Sequence, residues 1–205
     1  AVGYDAVFYN TTGADNVGIG HEALYNNTTA SNNTAVGKKA LKANTTGTRN
    51  CALGMRALEA NSSSNDSTAI GYVSLLVNTG ASNTGVGSYS MVNNTSGTAN
   101  TAVGKSALGA NTTANNNSAF GYQALFANTT GANNVAVGAY ALDANTTGTD
   151  NIGIGGYSLS ANTTGGSLTA IGYAALNANT TGTHNVAVGK SALEVNTTGS
   201  YHIAM

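Results

Sequence analysis

Twelve consecutive copies of one short unit make up almost the whole chain, and that period constrains everything else. The cleanest copy reads AVGAYALDANTTGTDNI, from Ala136 to Ile152. Eleven copies have 17 residues, and the fifth, Ala69 to Thr84, has 16. No stretch is left over for an independent enzyme domain. A unit this short buries its apolar residues only by stacking on its neighbours, so residues 1–205 are expected to form a single solenoid domain. Unit positions below are counted from the Ala of Ala-Val-Gly, and each copy is called a coil.

Two positions never vary. Position 3 is Gly in all twelve coils, as at Gly3, Gly20, Gly37 and Gly138, and position 10 is always Asn, as at Asn10, Asn27, Asn44 and Asn145. Position 2 is always a large apolar residue, and position 7 is Leu in ten coils, with Val7 and Met91 as exceptions. Positions 1 and 6 hold only Ala, Gly or Ser. A helix is disfavoured, because each interior Gly costs about 1 kcal/mol and β-branched Thr adds to that. Positions 17, 1 and 2 alternate with a period of two, which predicts a short strand with branched residues on one face and small ones on the other. The Gly at position 3 then turns the chain. Positions 6–9 are expected to form a second short strand around the Leu, and Asn-Thr-Thr-Gly the return turn. The resulting fold class is all-β: a parallel β-solenoid or β-roll of twelve 17-residue coils. At about 4.7–4.9 Å per coil it would be a rod of roughly 55–60 Å. The Asn residues at position 10 are expected to stack as an amide ladder.

The charges supply an internal check. All fifteen Asp, Glu, Lys and Arg residues fall at positions 4, 5, 8 or 15, which must therefore face water. Charged residues are only 7% of the chain and the net charge is −1, so there is no basic footprint for nucleic acid or for an anionic membrane surface. No apolar run approaches the roughly 20 residues of a membrane span, and no signal-peptide pattern is present, so an export signal would lie outside this stretch. The chain starts at position 1 and stops just into a thirteenth unit without an evident cap, as expected for a fragment of a longer fibre or for a unit that stacks end to end into a filament. Cys51, the only cysteine, is read as a small buried hydrophobe.

Catalytic chemistry finds no footing. His21, His184 and His202 occupy three different unit positions, the acids share no register, and the glycines lack the strand–helix context of a phosphate loop. No enzyme activity, cofactor or metal is expected. Three surface features remain. Position 11 is Thr in eleven coils, including Thr129, Thr146, Thr163 and Thr180, and a regular Thr row on a solenoid could bind ice. Tyr recurs at positions 4 and 5, as at Tyr72, Tyr122, Tyr140 and Tyr173, where aromatics could anchor a partner or a sugar ring. Eleven of the position-10 Asn residues read as glycosylation acceptors, though sites about 4.8 Å apart could not all carry a glycan.

Each coil buries few large side chains, worth about 3–6 kcal/mol, against at least about 1 kcal/mol of backbone entropy per residue. Self-association is therefore expected, with the small-residue faces at positions 1 and 6 admitting a second chain. The steps Ala35-Val36-Gly37, Ala69-Ile70-Gly71 and Ala136-Val137-Gly138 resemble the head repeats of the trimeric autotransporter adhesins, the YadA-like family. Repeats of phage tail-fibre shafts are similar. The family's head unit is shorter, the Asn-Thr-Thr-Gly block looking like an enlarged turn. The resemblance implies a left-handed parallel β-roll that trimerises, located outside the cell or on a virion. The expected function is a structural, adhesive rod that meets a host surface, matrix protein or glycan. Ice binding and a tail-fibre shaft are the alternatives.

Overall fold

The computed structural model describes residues 1–205 and contains no helix. Twelve short strands recur at the period of the unit: β1 is Val17–Ile19, β2 Thr34–Val36, and so on to β11, Val186–Val188, and β12, Ile203–Ala204. They form one parallel sheet in chain order, each strand pairing only with the coils before and after it. Register advances by one unit, so Ala35 pairs with Ala52. It survives the 16-residue coil, where Ala69 pairs with Gly85. Only 22 of 137 backbone hydrogen bonds lie within the strands. The remainder include bonds that carry the coil-to-coil ladder around the perimeter, such as Leu24 N–H to the Ala40 carbonyl and Asn26 N–H to the Lys42 carbonyl, both 3.0 Å.

The segment around the Leu is not a strand. It is a run of turns in which positions 5 and 7 take left-handed backbone angles, as at Lys39 (φ 61°) and Leu41 (φ 50°). Such a conformation costs about 1–2 kcal/mol per residue. It is held because it turns two adjacent side chains inward: Ala40 and Leu41 are both fully buried, whereas a strand would put one of them outside.

The two faces of the sheet are also the reverse of what residue size suggests. Position 1 points inward and is fully buried at Ala35, Ala52 and Ala69. Positions 17 and 2 point outward. The interior holds the Ala of positions 1 and 6 and the Leu of position 7, so those small-residue faces are core and not a surface for a second chain. The Leu is what leaves room only for a methyl group at position 1. A Cβ built on Gly153 would lie 3.3 Å from Leu142 Cδ1 and 3.1 Å from Ser158 Oγ. Where position 1 is Gly85 or Gly153, position 6 of the same coil is Ser90 or Ser158, restoring part of the lost volume.

Position 3 requires glycine. Its φ lies between +126° and +140° in every coil, and a Cβ on Gly138 would lie 2.7 Å from the Gly155 carbonyl carbon. Position 10 forms the expected ladder, with the Asn27 Nδ2 donating to Asn10 Oδ1 (2.8 Å) and Asn145 to Asn128 (3.0 Å). A second ladder runs along position 16. The Oδ1 of Asn117 accepts the backbone N–H of Asn134 at 2.9 Å, and its Nδ2 reaches the Gly131 carbonyl at 2.9 Å. At the short coil the first ladder is bridged: Asn78 Nδ2 donates to Ser64 Oγ (3.3 Å), whose hydroxyl bonds Asn61. No Asp, Glu, Lys or Arg is buried.

Candidate interaction surfaces

The largest feature is the outward face of the sheet. Positions 17 and 2 lie two residues apart on one strand, so both project to the same side. Val, Ile, Leu and Phe dominate this face, and Ile19, Leu53, Phe120 and Ile154 are 42%, 46%, 41% and 38% exposed. Twelve such large apolar side chains add up to an exposed area on the order of 700 Å², at or above the largest patch of a typical monomer. Thr34, Thr68 and Thr101 are interspersed at position 17. Cys51 stands in the same row, half-buried and not in the core. The alternation in the sequence placed these residues on one face, but residue size assigned that face to the interior.

The Thr residues divide by position. Thr129, Thr146 and Thr163 at position 11 are half-buried, and their hydroxyls donate to the carbonyl of the same position in the next coil at 3.0–3.1 Å. Thr180 does the same toward Thr197 at 3.0 Å. These donors are therefore committed within the rod. The exposed row is position 12, which runs without interruption through Thr113, Thr130, Thr147, Thr164, Thr181 and Thr198. The position-10 carboxamides are committed too: Asn128 is fully buried, and its Nδ2 donates to Asn111 Oδ1 (3.1 Å) and to the Gly131 carbonyl (2.9 Å). A glycan there is incompatible with the folded coil.

Tyrosines at positions 4 and 5 stack from coil to coil. Tyr122 meets Tyr140 edge-on at 5.3 Å, Tyr140 stacks on Tyr157 at 5.1 Å, and Tyr157 meets Tyr173 at 5.9 Å. Tyr72 and Tyr89 pair edge-on at 5.3 Å. Burial and the neighbouring Tyr122 raise the Tyr140 phenol above its ordinary range, and a hydrogen bond with Tyr72 does the same for Tyr89. The rings thus serve first as each other's neighbours, while Tyr122 and Tyr173 keep about half of their surface open. His21 and His184 stack on Tyr4 and Tyr201 with centroids at 5.5 and 4.9 Å. Nowhere do three of His, Cys, Asp and Glu converge as metal ligands. Close to Tyr140, the half-buried Asp143 keeps one carboxylate oxygen buried without a hydrogen bond, and burial raises its pKa.

A single concave site lies along coils two to five, lined among others by Lys42, Arg56 and Glu59. No helix exists that could cross a membrane. No protein-family model, no curated protein and no solved structure matches the chain.

Proposed function

We propose that this chain is a structural, adhesive rod that self-associates through the outward face of its parallel sheet, as a trimer. The observation that carries the reading is the row of large apolar residues at position 2, joined by Val or Ile at position 17 in five coils and turned away from a core that is already filled by Ala and Leu. An exposed area on the order of 700 Å² is close to the roughly 800 Å² that each partner contributes to a standard interface. The solenoid repeats this face in register, so identical copies can pack along their whole length without specific charged contacts. The resemblance of the Ala-Val-Gly steps to adhesin head repeats supports a place on a cell surface or a virion fibre. The polar edges then meet a host surface, matrix protein or glycan. A phage fibre shaft is the same architecture in another setting.

Light scattering on size exclusion tests this. A mass of about 61 kDa, three times the 20.3 kDa chain, is expected. The double variant Val137→Glu/Ile154→Glu is expected to reduce it toward one chain with an unchanged β-type circular dichroism spectrum. A stable wild-type monomer of 20.3 kDa would refute the reading. A second reading, ice binding, is favoured by the exposed position-12 Thr row, not the position-11 row, and predicts thermal hysteresis that Thr147→Val/Thr164→Val leaves altered.

A further inference from the structure

Positions 8 and 9 form an outer edge of the rod, separate from the apolar sheet face. Through coils two to five this edge reads Tyr25-Asn26, Lys42-Ala43, Glu59-Ala60 and Leu76-Val77. Small residues in the middle and larger ones at both ends leave a cleft of about 380 Å³. Asn26 closes one end, Leu76 and Val77 the other, and Ala43 and Ala60 make an apolar floor. The short coil therefore supplies one wall, where most coils have Ala at position 9.

The rim holds two cations, each paired with one carboxylate and each with donors to spare. Glu22 Oε1 takes one hydrogen of the Lys42 ammonium at 2.9 Å, leaving two. Glu59 takes the Nε–H of Arg56, and neither terminal amino group of that guanidinium has a protein partner. Arg49 is the contrast, since Asp66 binds both its Nε (2.6 Å) and its Nη2 (2.9 Å). Coil three also carries Lys38 and Lys39 outside the cleft lining, so four basic residues at positions 4, 5 and 8 of coils three and four stand against Glu22 and Glu59. A free guanidinium edge is the geometry that binds a planar oxyanion through two parallel hydrogen bonds.

We infer that this cleft binds a small amphiphilic monocarboxylate, with its apolar body on Ala43, Ala60, Leu76 and Val77 and its carboxylate on the terminal amino groups of Arg56. Lys42 stands beside the anion and is itself held by Glu22 and by the Tyr25 ring, 5.6 Å from its centroid. Apolar bodies and oxyanions each bind weakly at a surface. Their combination in one cleft is what selects the ligand.

The probe is octanoate, titrated into the full chain and followed by amide chemical shifts. Saturable shifts confined to coils two to five are expected. Octanol, which lacks the charge, and Arg56→Gln, which lacks the fork, should each weaken binding at least about tenfold. Ala60→Leu, at an exposed position, should fill the cleft and abolish binding with the dichroism spectrum unchanged. Three results overturn the inference: no saturable shift, equal affinity for octanol, or shifts that map to positions 17 and 2 and persist in Arg56→Gln. The last would mean that octanoate only coats the apolar sheet face. Because none of these readouts depends on molar mass, failure here is distinct from failure of the self-association reading.

Discussion

Replacing one position-3 glycine in the middle of the rod should damage it far more than the size of a methyl group suggests. Gly104 has φ +139°, and a Cβ there would lie 2.6 Å from the Gly121 carbonyl carbon of the next coil. An L-residue in that backbone region costs about 1–3 kcal/mol. The clash adds a second cost, because coil eight must withdraw to admit the methyl. Its retreat weakens the ladder bond from Gly121 N–H to the Val103 carbonyl (2.8 Å) and its neighbours, each worth about 1 kcal/mol. Gly104→Ala should therefore cost about 3–5 kcal/mol. In a linear array the loss falls on one interface between neighbours, so the rod should also break into two independently melting halves. Urea unfolding followed by circular dichroism should show a lower midpoint and a shallower transition, since each half exposes less surface. Gly156→Ala is the matched control. Its φ is ordinary and the nearest atom to a new Cβ is 3.6 Å away, so it should be neutral or stabilising by about 0.4–1 kcal/mol. If Gly104→Ala unfolds within about 0.5 kcal/mol of Gly156→Ala, the stacking account of position 3 is wrong.

The remaining predictions concern the ladders, the left-handed positions and one carboxylate. Asn111→Ala removes an amide that donates to Asn94 (2.7 Å) and accepts from Asn128 (3.1 Å), leaving the buried Asn94 Oδ1 without that donor and one Asn128 N–H without an acceptor; a loss of about 2–4 kcal/mol is expected in the same unfolding assay. Ala99 is exposed at φ 55°, so Ala99→Asn should stabilise by about 0.5–1 kcal/mol, because Asn adopts that backbone at lower cost than Ala; an Asn variant less stable than wild type would count against the strain. Burial raises the pKa of Asp143 above its unfolded value of 3.8, so its ionised form opposes folding at neutral pH and the penalty fades as pH falls through the raised folded value. Asp143→Asn should accordingly melt higher than wild type at pH 7, with the gap closing as pH approaches 4; a gap that does not change with pH would show that charge burial is not the cause.

How much of this was readable from the sequence depends on what each residue's role requires. The Gly at position 3 and the Asn at position 10 were legible because turn geometry and amide stacking each demand one residue type in every coil. The charged positions were legible for a similar reason: one buried charge would be costly, so all fifteen avoid the interior. The second Asn ladder at position 16 was visible as a repeated Asn but had no assigned role, because Leu168, Ser67 and His202 interrupt it. Leu168 shows why interruption is tolerated, since its backbone N–H still donates to Asn151 Oδ1 at 3.0 Å. The turn at positions 5–7 was not legible. Leu is a poor left-handed residue by local preference, and only tertiary burial of Leu41 and Leu58 outweighs that preference.

The inverted sheet is the most consequential of these features, and it follows from the turn. Bringing positions 6 and 7 inward together places a Leu directly behind position 1, as Leu142 lies behind Gly153. Only a methyl group or less then fits at position 1. Strand geometry sends positions 17 and 2 to the other side, and their Val and Ile residues have nowhere else to go. A narrow coil and an apolar exterior are thus one structural choice, not two. Reversing it would require a wider coil with a much smaller residue at position 7, and no copy has anything smaller there than Val7. The same reasoning explains why the polar edges vary freely from coil to coil while positions 1, 3, 6, 7 and 10 do not. The edges contribute little to stacking, so they are where a cleft such as the one beside Arg56 can arise from two small residues, Ala43 and Ala60, flanked by the larger Asn26 and Leu76-Val77.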